Sequence, residues 1–296
     1  MFRWFRGLGN LPMGLGIWLN LVFPVEVLVS IYTVNRLPGV REALRFIYEQ
    51  VGSLDAAIAV ASFLERAAHC PAVSAPDGTI EIEAGCHPLI AQPVPNSLRL
   101  EQRSALISGS NMAGKTTFIK MVAINLIFGR TLGFCLTRDA RIPGASVVAC
   151  IRSEQSVESG KSRYFAEIET LLRFLRHDPG DGALVVVIDE PFSGTNTTER
   201  VAAAKAVLAA LSRHSLVLAT THDVELQEML RDRFDMFHLT ENPQVEGYFD
   251  YRLQRGTCYE RNALKLLAEV GYPHEVIAEA VALAGTGGGA ANAGFV

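Results

Sequence analysis

The fold of this chain is decided by the stretch Ala105-Leu106-Ile107-Ser108-Gly109-Ser110-Asn111-Met112-Ala113-Gly114-Lys115-Thr116-Thr117. A short apolar run suited to a buried strand ends at Gly109, and a helical pattern begins at Phe118. Four residues separate Gly109 from Gly114-Lys115-Thr116, which is the spacing of a phosphate-binding loop (P-loop). Glycines let the backbone fold closely around a polyphosphate, so that several N–H groups and the N-terminus of the next helix point at it. The stretch therefore predicts a nucleotide-binding loop between a strand and a helix.

The loop residues divide into phosphate ligands and a metal ligand. Lys115 is expected to reach the β- and γ-phosphates of ATP, and the Thr116 hydroxyl is expected to bind Mg²⁺. The alternative is a chance match in a glycine-containing turn, which the flanking strand and helix argue against. The residues predicted to contact the ATP phosphates are Gly109, Ser110, Asn111, Met112, Ala113, Gly114, Lys115, Thr116 and Thr117.

Length and composition limit the class of protein. The chain has 296 residues, 49% of them hydrophobic, which is enough for one large α/β domain and a smaller helical part. Its net charge of -4 argues against a surface that is basic throughout and binds nucleic acid. The five cysteines are scattered and form no C-x-x-C pair, so we expect reduced thiols, most of them in the core, in a cytoplasmic protein.

The N-terminal part is expected to be helical. An uncharged run at residues 7–25 just reaches membrane-spanning length and follows Arg3 and Arg6. Because prolines, asparagines and glycines interrupt it, we expect a buried or partner-facing helix from near Leu15, with membrane association as the alternative. At residues 41–68 apolar positions recur every three to four residues, which predicts one or two amphipathic helices.

The rest of the chain alternates between strand and helix patterns. Strands are expected at residues 80–83, 134–136, 147–151, 183–188, 216–219, 236–239 and 248–253, and helices at residues 164–176, 201–211, 263–270 and 274–283. Asn196 and Glu199 resemble a capping box for one helix. This alternation predicts an α/β fold with a mostly parallel central sheet flanked by helices. We expect a helical segment at residues 1–78, a nucleotide-binding domain at 79–260, a helical pair at 261–284 and a disordered tail at 285–296.

Two acids follow the most hydrophobic of these strands, in the run Val185-Val186-Val187-Ile188-Asp189-Glu190-Pro191. Asp189 is expected to hold Mg²⁺ through water, and Glu190 to orient and polarise an attacking water. The next strand leads into Thr220-Thr221-His222-Asp223, where His222 is expected to contact the γ-phosphate. The alternatives are a solvated strand end for the acids and a capping or packing role for His222. Lys115, Glu190 and His222 are thus the predicted catalytic residues, with Thr116 and Asp189 as metal ligands.

Three runs together resemble the ATPase domain of the MutS family. They are the P-loop from Ser108 to Thr117, Ile188-Asp189-Glu190-Pro191-Phe192-Ser193-Gly194-Thr195-Asn196, and Thr220-Thr221-His222-Asp223-Val224-Glu225-Leu226. The Asn-Met pair in the loop and the Gly-Thr-Asn after the acids are more specific than a general P-loop. The resemblance covers roughly residues 54–273.

The resemblance implies an ABC-type P-loop ATPase that works as a homodimer with two composite ATP sites. Ser162 then stands where the family places a residue that reaches the partner's γ-phosphate. Gly194, Thr195 and Asn196 stand where the family's interface loop crosses. The alternative for Ser162 is a helix N-cap ahead of Tyr164.

The sequence also departs from the family pattern. Nothing resembles the mismatch-recognition domain, and the residues before Leu54 are too few for the clamp that encircles DNA. Ser110 stands where mismatch-repair members have proline, and Arg163 where they more often have threonine. The loop run Ser108-Gly109-Ser110-Asn111-Met112, together with the late run Tyr248-Phe249-Asp250-Tyr251-Arg252-Leu253, is similar instead to shorter bacterial MutS-like proteins, some of which carry membrane segments. We therefore expect an ATP-driven dimeric switch that binds DNA weakly, without a preference for mismatches.

Three other functions were weighed against ATP hydrolysis. A P-loop phosphotransferase acting on a small molecule needs a lid with arginines, whereas the Asp189-Glu190 pair suits water as the acceptor. A membrane-associated adaptor that only binds nucleotide would not need Lys115, Asp189 and Glu190 together. An ABC transporter subunit would carry a Leu-Ser-Gly-Gly-Gln stretch before the acids, and this sequence has none.

Overall fold

A computed structural model describes residues 25–110, 112–151, 163–178, 182–240, 249–257 and 271–286. Its helices are α1 Val25–Leu64, α2 Lys115–Thr131, α3 Arg163–Leu175, α4 Thr197–Leu211, α5 Val224–Leu230 and α6 His274–Thr286. Its strands are β1 Cys70–Pro71, β2 Val73–Ser74, β3 Ile80–Gly85, β4 Asn96–Leu100, β5 Ser104–Gly109, β6 Phe134–Cys135, β7 Asp139–Ile142, β8 Ser146–Cys150, β9 Leu184–Ile188, β10 Leu216–Thr220, β11 Phe234–Leu239 and β12 Gln254–Arg255. The chain forms two compact units, Met1–Arg66 and Ala67–Val296.

The first unit contains α1, a continuous helix of 40 residues. It covers the expected helical pattern from residue 41 and extends back to Val25, whereas residues 7–24 of the uncharged run lie outside the described residues. Its apolar side chains are largely exposed, among them Leu44, Val51 and Leu54, each more than 60% exposed. In the described part of the chain, no helix has both the length and the hydrophobicity needed to cross a membrane.

The second unit is built on a six-stranded sheet in the order β12-β11-β5-β10-β9-β8. From β11 to β8 each neighbouring pair is parallel, and β12 runs antiparallel to β11. A second sheet, β2-β7-β3-β4, mixes parallel and antiparallel pairs, and β1 pairs with β6. Parallel neighbours need long crossover connections, which the helices supply. The architecture is α/β, and it is compatible with a P-loop fold.

Side chains from both faces of the six-stranded sheet are buried, which explains its uninterrupted apolar strands. In β9 every residue from Leu184 to Ile188 is buried. Val185 and Val187 join a cluster with α2, whereas Val186 and Ile188 join a second cluster with α4. Helices therefore cover both faces, and the loops at the strand ends are held by a rigid core.

The expected strand at residues 248–253 was wrong in its position. Residue 248 lies outside the described residues, Phe249 forms only an isolated bridge, and the strand is β12 at Gln254–Arg255. The Asn96 side chain donates to the Tyr251 carbonyl at 2.9 Å and accepts from the Leu253 N–H at 2.7 Å. Tyr251 also has a φ of 56°. A strand ladder would need these backbone groups and an extended backbone, so the segment cannot pair there.

Other elements differ from expectation in smaller ways. Residues 67–78, expected in the helical N-terminal segment, belong to the second unit and contain β1 and β2. The pattern did not indicate α5, β4 or β7. The expected helix at residues 263–270 and tail residues 287–296 lie outside the described residues, whereas α6 forms where a helix was expected.

The described cysteines are free thiols, as expected for a chain without a disulfide framework. They are Cys70, Cys86, Cys135 and Cys150. Only Cys135 is fully buried and the other three are partly exposed, so the expectation that most of the thiols lie in the core was wrong for these residues. Burial raises the pKa of the Cys135 thiol to about 12 and that of Cys150 to about 11. These thiols therefore stay protonated near neutral pH and are poor nucleophiles.

Candidate active site

The parallel register brings the carboxyl ends of β5, β9 and β10 to one edge of the sheet. Thr220 of β10 pairs with Ile107 of β5, and Ala219 pairs with Ile188 of β9. The P-loop, the two acids and His222 each follow one of these strand ends. In open α/β sheets this edge is where ligands bind.

The two glycines of the P-loop are required by backbone geometry. Gly109 has a φ of 136°, and a Cβ there would lie 2.0 Å from the Leu239 carbonyl oxygen. Gly114, the N-cap of α2, has a φ of 90°, and a Cβ there would lie 3.1 Å from the Tyr251 ring. No larger residue fits either position without strain. The two glycines therefore allow the loop backbone to approach a ligand closely, as the P-loop sequence pattern predicts.

The Lys115 side chain is buried inside this loop, with only 3% of it exposed. Its Nζ donates to the Gly109 carbonyl at 2.7 Å and to the Ser110 carbonyl at 2.9 Å. Nζ also lies 3.4 Å from Glu190 Oε1. The Ser110 hydroxyl is buried and has no hydrogen-bond partner in the described part of the chain. A buried cation beside an unsatisfied hydroxyl is costly in isolation, and it suits a loop that binds an anion.

Asp189 connects the P-loop to β10. The carboxylate is buried at the end of β9, and its Oδ2 accepts from the Thr116 hydroxyl at 2.8 Å. Its Oδ1 accepts from the Thr220 hydroxyl at 2.7 Å. The Thr220 oxygen in turn accepts from the Glu190 N–H at 2.9 Å. The two predicted metal ligands, Thr116 and Asp189, are thus in direct contact, and Thr220 fixes both acids.

Glu190 has a strained backbone that directs its side chain toward the loop. Its φ is 45°, in the left-handed region that residues other than glycine rarely adopt, and Phe192 follows with a φ of 59°. The Phe192 N–H donates to Glu167 Oε1 at 2.6 Å, which holds the turn in place. Strain of this kind persists only where the surroundings enforce it, and it is concentrated at functional sites.

His222 lies next to Glu190 at the end of β10. Its Nδ1 is 3.5 Å from Glu190 Oε1, and its side chain is 38% exposed. On the other side, Nε2 is 3.8 Å from Asp223 Oδ1. Asp223 accepts two hydrogen bonds from Arg200 of α4, at 3.0 Å and 2.6 Å. This bidentate contact raises the pKa of the Arg200 guanidinium above its usual value.

Three of the predicted interface residues, Gly194, Thr195 and Asn196, lie in the loop before α4. Asn196 caps this helix, because its Oδ1 accepts from the Glu199 N–H at 3.0 Å, which confirms half of the predicted capping box. The Glu199 carboxylate accepts instead from the Thr195 hydroxyl at 2.9 Å. A Cβ on Gly194 would lie 3.1 Å from the Tyr164 ring, so glycine permits close packing against α3. Ser162 and Asn111 lie outside the described residues.

A cavity of about 460 Å³ adjoins the P-loop on the side of α2. Residues of three separate segments line it, including His87, Val94, Met112, Thr117 and Tyr251. Its volume is in the range of small-molecule sites. Sequence reasoning did not identify it, because no local pattern connects segments so far apart in the chain.

Sequence reasoning also missed the roles of Thr220, Arg200 and Asp223. Thr220 and Asp223 belong to the same run as His222, so the sequence could have indicated that they lie beside the site. Arg200 gave no signal, since its contact with Asp223 joins residues 23 positions apart.

Comparisons with known proteins identify the family of this chain. A family profile described as MutS domain V matches residues 105–286, more than half of the 296-residue chain. The DNA mismatch repair protein MutS of Thermus aquaticus is 30% identical over 210 residues, which cover 69% of this chain and 26% of that protein. Endonuclease MutS2 of Clostridium botulinum is 30% identical over 256 residues, which cover 81% of this chain and 31% of that protein. The MutS protein of Natronomonas pharaonis is 28% identical over 248 residues, 79% of this chain and 28% of that protein.

The chain thus spans between a quarter and a third of the length of these curated relatives. The family profile contains the P-loop, the acid pair and His222, which are the residues that the structure brings to one edge of the sheet. The chain therefore belongs to the MutS family, and its residues 105–286 correspond to domain V, the ATPase domain.

Proposed function

We propose that this chain binds ATP with Mg²⁺ and hydrolyses the ATP to ADP and phosphate, as the ATPase part of a mismatch-repair-related protein. The observation that carries the proposal is the 2.8 Å contact between Thr116 and Asp189, beside Lys115 and Glu190, which are 3.4 Å apart. The residues proposed to bind phosphate, to hold the metal and to activate water thus lie together at one edge of the sheet, as ATP hydrolysis requires.

The phosphates would bind to the loop between Gly109 and Thr117. Lys115 would exchange its two carbonyl acceptors for phosphate oxygens, and the buried Ser110 hydroxyl would gain a partner. The first N–H groups of α2 have no side-chain cap and point at the same place. The loop therefore fits a polyphosphate by charge and by hydrogen-bonding capacity.

Mg²⁺ would be held by the Thr116 hydroxyl and, directly or through water, by the Asp189 carboxylate. Both are hard oxygen ligands, and Mg²⁺ in phosphate sites commonly uses one or two carboxylates together with phosphate oxygens and water. When bound, the ion would neutralise charge on the phosphates. Thr220 holds the second Asp189 oxygen and so limits rotation of the carboxylate.

Glu190 and His222 would act on the water and on the γ-phosphate, respectively. Glu190 Oε1 lies between Lys115 Nζ and His222 Nδ1, which places the carboxylate at the mouth of the loop. There it can accept a hydrogen bond from a water and polarise it. The partly exposed His222 ring is free to meet the terminal phosphate.

The adenine is proposed to lie in the cavity next to the P-loop. Gly114, Thr116 and Thr117 line this cavity together with the ring of Tyr251, so the base site is continuous with the phosphate site. Aromatic and apolar walls suit a planar base.

We further propose that two chains associate in the ABC-type manner around two composite ATP sites, as in a nucleotide-driven dimeric switch. Gly194 and Asn196 are exposed in the single chain, where they are available to a partner. Ser162 is proposed to complete the partner's site. We also propose that the chain is similar to the shorter bacterial MutS-like proteins, and the loop residue Ser110 supports this.

DNA is a proposed partner, because the relatives are named as mismatch repair proteins and an endonuclease. We expect weak binding without mismatch preference, since base reading needs groups inserted at base edges or between bases. A titration of labelled matched and mismatched duplexes at physiological salt should give equal, weak affinities. Tight binding selective for mismatches would contradict this part of the proposal. A phosphotransferase and a nucleotide-binding adaptor are not favoured by the family assignment.

Phosphate release from ATP by the purified chain tests the proposed activity. Hydrolysis should require Mg²⁺ and stop with EDTA, and Lys115→Ala should lose nucleotide binding because it removes charge-assisted bonds of about 1.5–3 kcal/mol each. The matched control is Lys205→Ala, which removes an exposed lysine of α4. Absence of Mg²⁺-dependent hydrolysis in a folded, ATP-bound wild-type chain would contradict the proposed function.

Mixing two inactive variants tests the composite sites. Lys115→Ala chains and Ser162→Arg chains should each be inactive as homodimers. In the mixed dimer one site would carry both defects and the other neither, so up to half the activity per dimer should return. If mixed dimers form and no activity returns, the trans arrangement is wrong.

A further inference from the structure

Arg200 and Asp223 form a bidentate ion pair next to the proposed site. Arg200 Nε donates to Oδ2 at 3.0 Å and Nη2 donates to Oδ1 at 2.6 Å, with side chains only 14% and 8% exposed. Bidentate guanidinium–carboxylate contacts fix the orientation of both groups. The pair joins the first turn of α4 to the residue that follows His222.

Asp223 makes this contact instead of the one its position favours. It is the N-cap of α5, where an aspartate commonly accepts the N–H of the second or third helical residue. Its side chain makes no such bond, since both oxygens face Arg200. The backbone at Asp223 is held separately, because its N–H donates to the Thr221 hydroxyl at 3.0 Å. Capping of α5 therefore does not explain the carboxylate.

The His222 ring lies between two carboxylates. Nδ1 is 3.5 Å from Glu190 Oε1, and Nε2 is 3.8 Å from Asp223 Oδ1. That same Oδ1 accepts the 2.6 Å bond from Arg200. Without the guanidinium, the Asp223 carboxylate would be unpaired and would attract the ring away from Glu190. Arg200 thus offsets the competing charge on one side of the imidazole.

We propose that Arg200 and Asp223 are positioning residues that keep His222 directed at Glu190. The proposal rests on the proposed function, because His222 and Glu190 form part of its reaction site. Arg200 lies one turn after the Asn196 cap of α4, so the geometry at Glu190 depends on how α4 begins. The start of α4 follows directly on Gly194, Thr195 and Asn196, and any ligand or partner that moves this loop would also move His222.

A double-mutant cycle in ATP hydrolysis tests the proposal. Arg200→Ala should lower kcat by about tenfold or more, because misplacing a reacting group by about 1 Å can cost up to a hundredfold, with KM changed by less than about threefold. In a His222→Ala background the same substitution should have no further effect, since the ring that Arg200 positions is gone. Lys205→Ala, an exposed cation on the same helix, is the matched control and should leave kcat unchanged.

A readout that does not need catalysis comes from NMR of histidine rings labelled with ¹³C. The His222 signal, assigned by its loss in His222→Ala, should move in nucleotide-free Arg200→Ala and stay in place in Lys205→Ala. Arg200→Lys retains the positive charge, but an ammonium cannot donate the two parallel hydrogen bonds of a guanidinium to the Asp223 carboxylate. This variant should therefore give an intermediate chemical shift and an intermediate kcat. This variant also decides the question if Arg200→Ala does not fold.

Two outcomes would overturn the proposal: an equal loss of kcat in both backgrounds, or a His222 signal that Arg200→Ala and Arg200→Lys leave unchanged. An inactive wild-type chain would contradict the proposed function instead. In that case the NMR comparison on the nucleotide-free protein still decides whether Arg200 positions the ring.

Discussion

Replacing Thr220 with valine should remove both hydrogen bonds that tie the two acids to β10. The Thr220 hydroxyl donates to Asp189 Oδ1 at 2.7 Å and accepts from the Glu190 N–H at 2.9 Å, and the residue is fully buried. Valine has nearly the same shape, so packing is kept while one carboxylate oxygen and one N–H lose their partner. Each unsatisfied buried group costs about 1–3 kcal/mol, so for two groups we expect a loss of roughly 2–6 kcal/mol in the free energy of unfolding.

The matched control is Thr220→Ser, which keeps the hydroxyl and loses one methyl group, at a cost of about 0.8 kcal/mol. Urea unfolding of the wild type, Thr220→Val and Thr220→Ser measures the differences in unfolding free energy, provided that the three proteins show the same dependence on urea concentration (m-value). The valine variant should also need more Mg²⁺ for half-maximal ATP hydrolysis, because the Asp189 carboxylate can then rotate away from Thr116. If the valine and serine variants unfold at the same midpoint and share one Mg²⁺ requirement, Thr220 does not organise the acid pair.

Three further outcomes are expected. Glu190→Gln should bind ATP normally in a filter-binding assay but release phosphate on the order of a hundredfold more slowly, and a wild-type rate would contradict the role of Glu190. Gly109→Ala should lower the thermal midpoint and abolish ATP binding, since its Cβ would lie 2.0 Å from the Leu239 carbonyl; a stable variant that still binds ATP would refute the steric argument. Burial raises the pKa of the Cys135 thiol from 9.0 to about 12. Between these pH values the folded chain keeps the thiol proton while the unfolded chain loses it, so the free energy of unfolding should decline as pH rises from 9 toward 12. In Cys135→Ala, urea unfolding at pH 8 and pH 10 should show a smaller decline than in the wild type.

Local spacing predicted the parts of the site that lie within one strand-and-loop segment. The P-loop from Gly109 to Thr117 and the acids after β9 are such segments, and parallel pairing then brings their ends together. The α/β class followed in the same way from the alternation of strand and helix patterns. The family was also identified from these short runs.

Contacts between distant segments could not be predicted in this way. The pair Arg200–Asp223 and the hydroxyl of Thr220 act across gaps of 23 and 31 residues. The misplaced strand near Tyr251 has the same cause, because Asn96, more than 150 residues away, takes its backbone groups. A single sequence has no local signal for such contacts, since each one depends on the register of the folded sheet.

The Lys115 ammonium has acceptors within the protein itself, the Gly109 and Ser110 carbonyl oxygens at 2.7 Å and 2.9 Å. A nucleotide bound in the proposed way would therefore compete with the protein's own carbonyl oxygens, and its affinity would reflect the difference between two sets of bonds. A single phosphate would offer the lysine little more than these carbonyls do, whereas a triphosphate would also engage the loop backbone and the proposed metal ligands. The loop should thus discriminate against inorganic phosphate, an abundant competitor of ATP, without any group that repels it.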